Sequence, residues 1–146
     1  MVIGIMGESC TGKSSIAKEI RKNLDVTIVS GKDYLRFAKN EAEARKIFIE
    51  KLSNATVSDD ENIIFVISEK EHLELLPEKA VRVLVTAELD KIKERFALRI
   101  HSNLPPSVAK MLDAKHGMFH KESHDIHVVS GEKSIEELCA DIMKLL

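Results

Sequence analysis

Aromatic side chains are scarce. They make up 4% of the 146 residues, and tryptophan is absent. A stacking platform for single-stranded bases is therefore not on offer. Cationic excess is lacking too: 22 Lys and Arg stand against 24 Asp and Glu, for a formal net charge of −2. That balance argues against a general binder of nucleic acid or of an anionic membrane surface, since nothing is spare to neutralise phosphates. No apolar run approaches the roughly 18 residues that suggest a spanning helix. The opening Met-Val-Ile-Gly-Ile-Met is short and carries no charge ahead of it, unlike a secretory signal. Cysteine is limited to Cys10 and Cys139. Their separation fits no metal or disulfide framework, and they read as reduced thiols of a cytoplasmic protein.

What remains is an ordinary soluble balance, 44% hydrophobic and 32% charged, in a length that suits one domain over residues 1–146. Short apolar runs alternate with helical spacing throughout. Strands are expected at Val2–Met6, Val26–Ser30, Ile63–Ile67, Val81–Val85 and Ile126–Val129. Helices are expected over Ser14–Leu24, Tyr34–Leu52, Leu89–Ile100 and Val108–Phe119, with a shorter turn at Glu71–Leu76. Residues 53–61 read as a polar loop. Ser134 and Glu137 have the spacing of a capping box and start the last helix. Continuous apolar strands alternating with helices imply an α/β fold: a five-stranded parallel sheet covered on both faces, three layers in all. Ligands of such sheets sit beyond the carboxyl ends of the strands. The segments Gly7–Ser15, Gly31–Arg36, Ser68–Lys70, Thr86–Glu88 and Ser130–Lys133 are therefore the ones where chemistry is expected.

The first of these is specific. Gly7-Glu8-Ser9-Cys10-Thr11-Gly12-Lys13-Ser14 fits G-x-x-x-x-G-K-[ST] in full, directly after a strand and opening a helix. In such a loop the backbone amides converge on an anion, and the helix amino end adds partial positive charge. Lys13 supplies a cation for terminal phosphates, and the Ser14 hydroxyl can ligate Mg²⁺. Gly7 through Ser15 are the expected ATP-binding residues. Glu8 is electrostatically odd there and is expected to point to solvent. Cys10 reads either as a reactive thiol or simply as a small loop residue.

With that loop near the amino end, the chain resembles the small P-loop kinases, the group of nucleoside monophosphate kinases (adenylate- and cytidylate-kinase-like) and shikimate kinase. Ser30-Gly31-Lys32-Asp33-Tyr34-Leu35-Arg36 is similar to the G-D-x-L-R segment of adenylate-type members, with one extra residue before Asp33. Arg95 and Arg99 match an R-x-x-x-R pair at the base of a lid. The resemblance implies the P-loop NTPase fold, an acceptor region about 31–60 and a short lid about 95–122. It implies Mg²⁺-ATP as donor, Arg36 holding an acceptor phosphate, and Arg95 and Arg99 meeting the transferring phosphoryl group. Asp33 is the candidate acid for an acceptor hydroxyl or a metal-bound water, and alternatively the N-cap of the helix beginning at Tyr34. The implied activity is transfer of the γ-phosphate of ATP to a small, nucleotide-like acceptor. Two alternatives stand beside it: a kinase of a non-nucleotide hydroxyl, and a nucleotide-binding regulator without transfer.

The sequence also departs from that pattern. D-G-x-P-R after the third strand is replaced by Ser68-Glu69-Lys70, where Glu69 and Lys70 are candidates for the metal's water shell and the acceptor. No arginine follows Arg99. The strings N-K-x-D, D-x-x-G and L-S-G-G-Q are absent, which excludes signalling GTPases and transporter ATPases. Five of the six histidines fall late; His116, His120 and His124 would share a face if one helix carried them all, offering a metal-ligand spacing. A polar, partly titrating face is the plainer reading.

Overall fold

Apolar runs become strands: the central ones are buried on both faces, and the edge ones are buried in part. The computed structural model describes residues 1–146. In chain order it contains β1 (Val2–Met6), α1 (Lys13–Asn23), β2 (Thr27–Ser30), a 3₁₀ helix (Gly31–Phe37), α2 (Glu41–Val57), β3 (Ile63–Ile67), a second 3₁₀ helix (Lys70–Leu75), β4 (Val81–Thr86), α3 (Leu89–Arg99), α4 (Pro106–Lys115), β5 (Ile126–Val129) and α5 (Ile135–Met143). The strands form one parallel sheet in the order β2-β3-β1-β4-β5. This is the expected three-layer α/β/α sandwich of the P-loop fold. No helix is long and apolar enough to cross a membrane.

Strand alternation divides the core in two. Val2 and Met6 of β1, Ile63, Phe65 and Ile67 of β3, and Leu84 of β4 face α2, whose Ala44, Phe48, Leu52 and Ala55 cover them. Ile3, Ile5, Ile64, Val66, Val83 and Val85 face the other way, under Ile16, Ala17 and Ile20 of α1 and Leu138 and Ile142 of α5. Every residue of β1 and β3 is buried, whereas edge strands β2 and β5 carry partly open positions. Tyr34 stacks on Phe48 with ring centroids 5.3 Å apart, and Phe65 meets Phe48 edge-on at 4.9 Å. The few aromatics are thus concentrated under α2.

Two expected helices have different limits. The helix placed over Tyr34–Leu52 is two elements. Ala38 is extended, and the Asn40 side chain accepts the Glu43 N–H at 2.8 Å, starting α2 afresh. Residues expected to loop from position 53 instead extend α2 to Val57, because Ala55 falls on its buried face. The helix over Val108–Phe119 begins earlier, at Pro106, a residue suited to a first turn. It stops at Lys115, since His116 leaves helical conformation and Gly117 has φ +82°. At α5 the forward half of the expected capping box forms, with Ser134 Oγ accepting from the Glu137 N–H at 3.2 Å, while the Glu137 carboxylate takes the Ser134 hydroxyl and not the Ser134 N–H.

Two glycines are required for opposite reasons. A Cβ on Gly7 would lie inside 3.0 Å of the Val85 carbonyl oxygen, a backbone atom that cannot swing aside. Gly31 has open space around it but φ of +52°. Gly7→Ala should therefore cost about 3 kcal/mol, the upper end of the overpacking range, and Gly31→Ala only about 1–2 kcal/mol of left-handed strain. Urea unfolding midpoints of the two variants check this order.

Candidate functional site

β1 lies between β3 and β4, so the segment leaving its carboxyl end emerges at the middle of the sheet. Gly7 N–H still bonds to the Ile67 carbonyl at 3.1 Å, and the loop then turns away. Cys10 (φ 65°) and Gly12 (φ 100°) supply two left-handed conformations. The Glu8 carbonyl is the loop's internal anchor: Thr11 Oγ1 donates to it at 2.8 Å and Lys13 Nζ at 2.6 Å. Thr11 is fully buried and Lys13 is 5% exposed. Burial pushes the Lys13 amine down to about 8, against its ordinary 10.5; the Cys10 thiol opposes this and the Arg99 guanidinium adds to it. Two cations thus face one region whose buried member is satisfied only by a neutral carbonyl.

That region is a cavity of about 310 Å³. Ser9, Cys10, Gly12, Lys13, Ser14 and Ser15 line it from the loop and the start of α1, and Arg99 reaches it from α3. Ser30 and Gly31 after β2, with Val66 and Ser68 at the end of β3, complete the wall. These four were not singled out as candidates from sequence, although Gly31 and Ser68 lie in segments flagged by position. Their one signal is the carboxyl-end rule for parallel sheets. The Ser14 and Ser15 side chains are exposed at the amino end of α1. The arrangement is able to hold a polyanion: amides and a helix terminus below, cations at the side.

Glu8 corrects an expectation. Its carboxylate does not point to solvent. It accepts from the Gly117 N–H and lies 3.1 Å from His116 Nδ1, and its side chain is 11% exposed. The segment after α4 gains an acceptor this way, and the negative charge is turned towards that segment. Other ties hold the same region. Cys10, Ala87, Ile92 and Leu112 form a small buried cluster between the loop, α3 and α4. Lys93 pairs with Asp113 at 2.7 Å, Lys70 with Glu122 at 3.1 Å, and Phe119 is 1% exposed in the α2-side core.

The two arginines four apart do different things. Arg95 Nη1 donates to the Cys10 carbonyl at 3.1 Å and so braces the loop. Arg99 is exposed and lines the cavity. Asp33 and Arg36 do not line it. Asp33 Oδ2 accepts the Ser30 N–H at 3.2 Å; Asp33 is therefore not the N-cap of a helix beginning at Tyr34 but the third position of the 3₁₀ helix, completing a capping box with Ser30. Arg36 Nε donates to the Asp33 carbonyl at 3.4 Å, and both side chains are exposed.

The three late histidines do not share a helix face, because α4 ends before the first of them. They form pairs instead: His116 with His120, centroids 6.2 Å apart, and His124 with His127, 5.9 Å apart. Burial lowers the His127 pKa, with His124 adding to the effect, and its Nε2 lies 2.7 Å from Thr86 Oγ1. Both cysteines are free and buried.

No protein-family model matches the chain, and no curated protein matches it. Solved structures do. The chain is similar to a sugar kinase from Janibacter sp. HTCC2649, at 14% identity and TM-score 0.65, with 98% of this chain and 92% of that one covered. It is similar to a gluconokinase from Sinorhizobium meliloti 1021, at 16% identity and TM-score 0.60 over 99% and 92% of the two chains. It is also similar to the shikimate kinase of Aquifex aeolicus vf5, at 20% identity and TM-score 0.56 over 99% and 95%. At these identities the likeness establishes the fold: the chain has the architecture of the small P-loop kinases across nearly its whole length.

Proposed function

We propose that the chain is an ATP-dependent phosphotransferase acting on a hydroxyl of a small, non-nucleotide acceptor. One observation carries the reading: Lys13 and Arg99 face a single cavity closed below by a complete phosphate loop, and Lys13 bonds directly to no anion, only to the Glu8 carbonyl, while the Cys10 and Glu8 charges offset its burial in part. A polyphosphate supplies that anion. The fold is that of kinases named for sugars, gluconate and shikimate, all of which carry hydroxyls. The exposed Ser14 hydroxyl fits Mg²⁺, a hard cation that keeps most of its waters and takes few protein oxygens. Bound with ATP, the ion would neutralise charge on the β- and γ-phosphates.

In this reading the loop from Gly7 to Ser15 holds the phosphates through the amides beyond Gly7, whose own N–H is bonded to the Ile67 carbonyl, with Lys13 at the terminal ones. Arg99 meets the negative charge spread over the transferring group. Arg95 keeps the loop in shape through the Cys10 carbonyl. The acceptor oxygen attacks the γ-phosphorus, its bond to the β-bridging oxygen breaks, and the acceptor proton leaves to a base. Asp33, in the 3₁₀ helix after β2 and within the proposed acceptor region 31–60, is the candidate base, a role for which its carboxylate must leave the Ser30 N–H and turn into the cavity; residues 95–122 are the proposed lid. A nucleotide-like acceptor is the weaker reading. Arg36, the residue meant to hold its phosphate, bonds to its own helix, and the sequence lacks the second acceptor arginine after β3.

The acceptor class is tested by ADP release with Mg²⁺-ATP and a panel of sugars, sugar acids and hydroxy acids beside the nucleoside monophosphates. Stimulation by a hydroxyl compound is expected. Stimulation by monophosphates alone restores the nucleotide reading, and none with any acceptor favours a regulator.

Lys13 predicts a pH dependence with a definite sign. Unliganded, it loses its proton as pH rises through about 8, whereas phosphate binding favours the charged form. ATP affinity should therefore hold below that pH and fall above it, approaching tenfold per unit. Lys13→Ala should bind weakly and lack this particular decline. Calorimetric titrations from pH 7 to 9.5 make the comparison.

The arginines should separate kinetically. Arg99→Ala should lower kcat by about 100-fold or more with little change in ATP binding or stability. Arg95→Ala should also lower the melting temperature, because it removes a charged donor from a part-buried carbonyl. Equal melting temperatures for the two variants would remove Arg95 from its bracing role.

A further inference from the structure

Just beyond β3 the chain sets two carboxylates and an imidazole together. The His72 N–H closes back on the Glu69 carbonyl at 3.1 Å, which folds residue 72 over residue 69 at the start of the second 3₁₀ helix. One oxygen each of Glu69 and Glu71 and one ring nitrogen of His72 then lie within 4.8 Å of one another. Lys70, between them in sequence, is turned to Glu122 at 3.1 Å.

His72 gives this cluster its weight. It is 5% exposed, its ring packed edge-on to Tyr34 at 5.9 Å and tilted against Phe65 at 6.0 Å. Its Nδ1 is the one buried side-chain polar atom in the protein without a hydrogen-bond partner. Buried polar groups are nearly always paired, and an orphan calls for an ion, a water or a function. The imidazole is packed between aromatic rings, with one of its two nitrogens within 4.8 Å of an oxygen of each acid.

We propose that Glu69, Glu71 and His72 form a binding site for a divalent transition-metal ion of the Zn²⁺ type. One imidazole nitrogen and two carboxylate oxygens suit that borderline class, and three protein ligands leave a fourth tetrahedral position open. Glu71 and His72 also line a cavity of about 430 Å³ with Lys32 and Tyr34, so a water or ligand has room to reach that position. The Glu69 carboxyl is held below its usual range, foremost by a hydrogen bond with Glu71, with His72, Lys32 and Lys115 adding and burial opposing. Lys32 and Lys115 work against a cation, which favours strong N/O binders such as Zn²⁺ over Mg²⁺. The site does not depend on the phosphotransfer reading, because none of the three residues lines the phosphate-loop cavity.

The experiment is a calorimetric Zn²⁺ titration of the full, metal-free chain without nucleotide at pH 7. A second readout is Co²⁺ quenching of Tyr34, the only tyrosine in a chain without tryptophan. Wild type should bind one Zn²⁺ in the micromolar range or tighter, and Co²⁺ should quench Tyr34. Glu69→Gln with Glu71→Gln, both at exposed positions, should weaken Zn²⁺ by more than about 100-fold, the upper end of what an outer-shell change alone costs, and abolish the quenching. His120→Asn with His124→Asn, which removes one member of each late histidine pair, should leave both readouts within about threefold. Unchanged Zn²⁺ affinity in the double glutamine variant overturns the site. So does loss of binding in the histidine variant, or wild-type binding only at millimolar Zn²⁺.

Discussion

The constraint on which the rest depends is the position of β1. It is paired on both edges, by β3 and β4, and buried on both faces, so none of its side chains can take part in surface chemistry. Whatever it positions must leave at its carboxyl end. The tight contact of Gly7 against the Val85 carbonyl fixes how that exit is made. A bulkier residue would push the loop off β4 and tilt the axis of α1, which starts at Lys13. The sheet and the phosphate loop are therefore one mechanical unit, and the walls of the cavity come from the neighbouring strand ends at Ser30 and Ser68.

Glu8 extends that unit outward. Its carbonyl gathers Thr11 and Lys13 inside the loop, while its carboxylate takes the Gly117 N–H and neighbours His116. One residue thus links the loop's interior to the segment after α4. A carboxylate in a phosphate loop would oppose an incoming polyanion if it faced the cavity. Directed at the end of α4, it meets an amide and an imidazole instead. The cluster of Cys10, Ala87, Ile92 and Leu112 presses from the same side, with Arg95 on the Cys10 carbonyl. The proposed lid is anchored at its root by packing and at its far end by Phe119 in the α2-side core.

Much of this was legible in the chain because it follows from local pattern. Continuous apolar runs marked β1 and β3, since burial on two faces leaves no room for alternation, and shorter or interrupted apolar runs marked β4 and the partly open edge strands β2 and β5. The phosphate loop was legible because its glycines and lysine are demanded by backbone geometry and charge at fixed spacing. What was hidden depends on contacts distant in sequence. The partner of Glu8 is more than a hundred residues away. The split of residues 31–57 turns on Ala38 becoming extended between two helices, where apolar spacing runs on without interruption. The spacing of His116, His120 and His124 suggested one face only on the premise of a continuous helix, and Gly117 ends that premise. Asp33 was weighed between chemistry and capping; its carboxylate caps Ser30, and its part in any chemistry is proposed, not observed.

Lys13 shows how a site for a polyanion stays folded before the anion arrives. A buried ammonium is costly in a low-dielectric setting unless it is hydrogen-bonded. Here a single backbone carbonyl, that of Glu8, supplies the bond, and the lowered pKa records that the compensation is partial. The same carbonyl is held by Thr11, so the lysine can leave it for a phosphate oxygen without stranding a buried acceptor. The loop keeps its shape through Thr11 while Lys13 changes partner. What burial of the charge costs the empty protein is thereby returned when phosphate binds, and the site is selective for ligands that carry enough negative charge to return it.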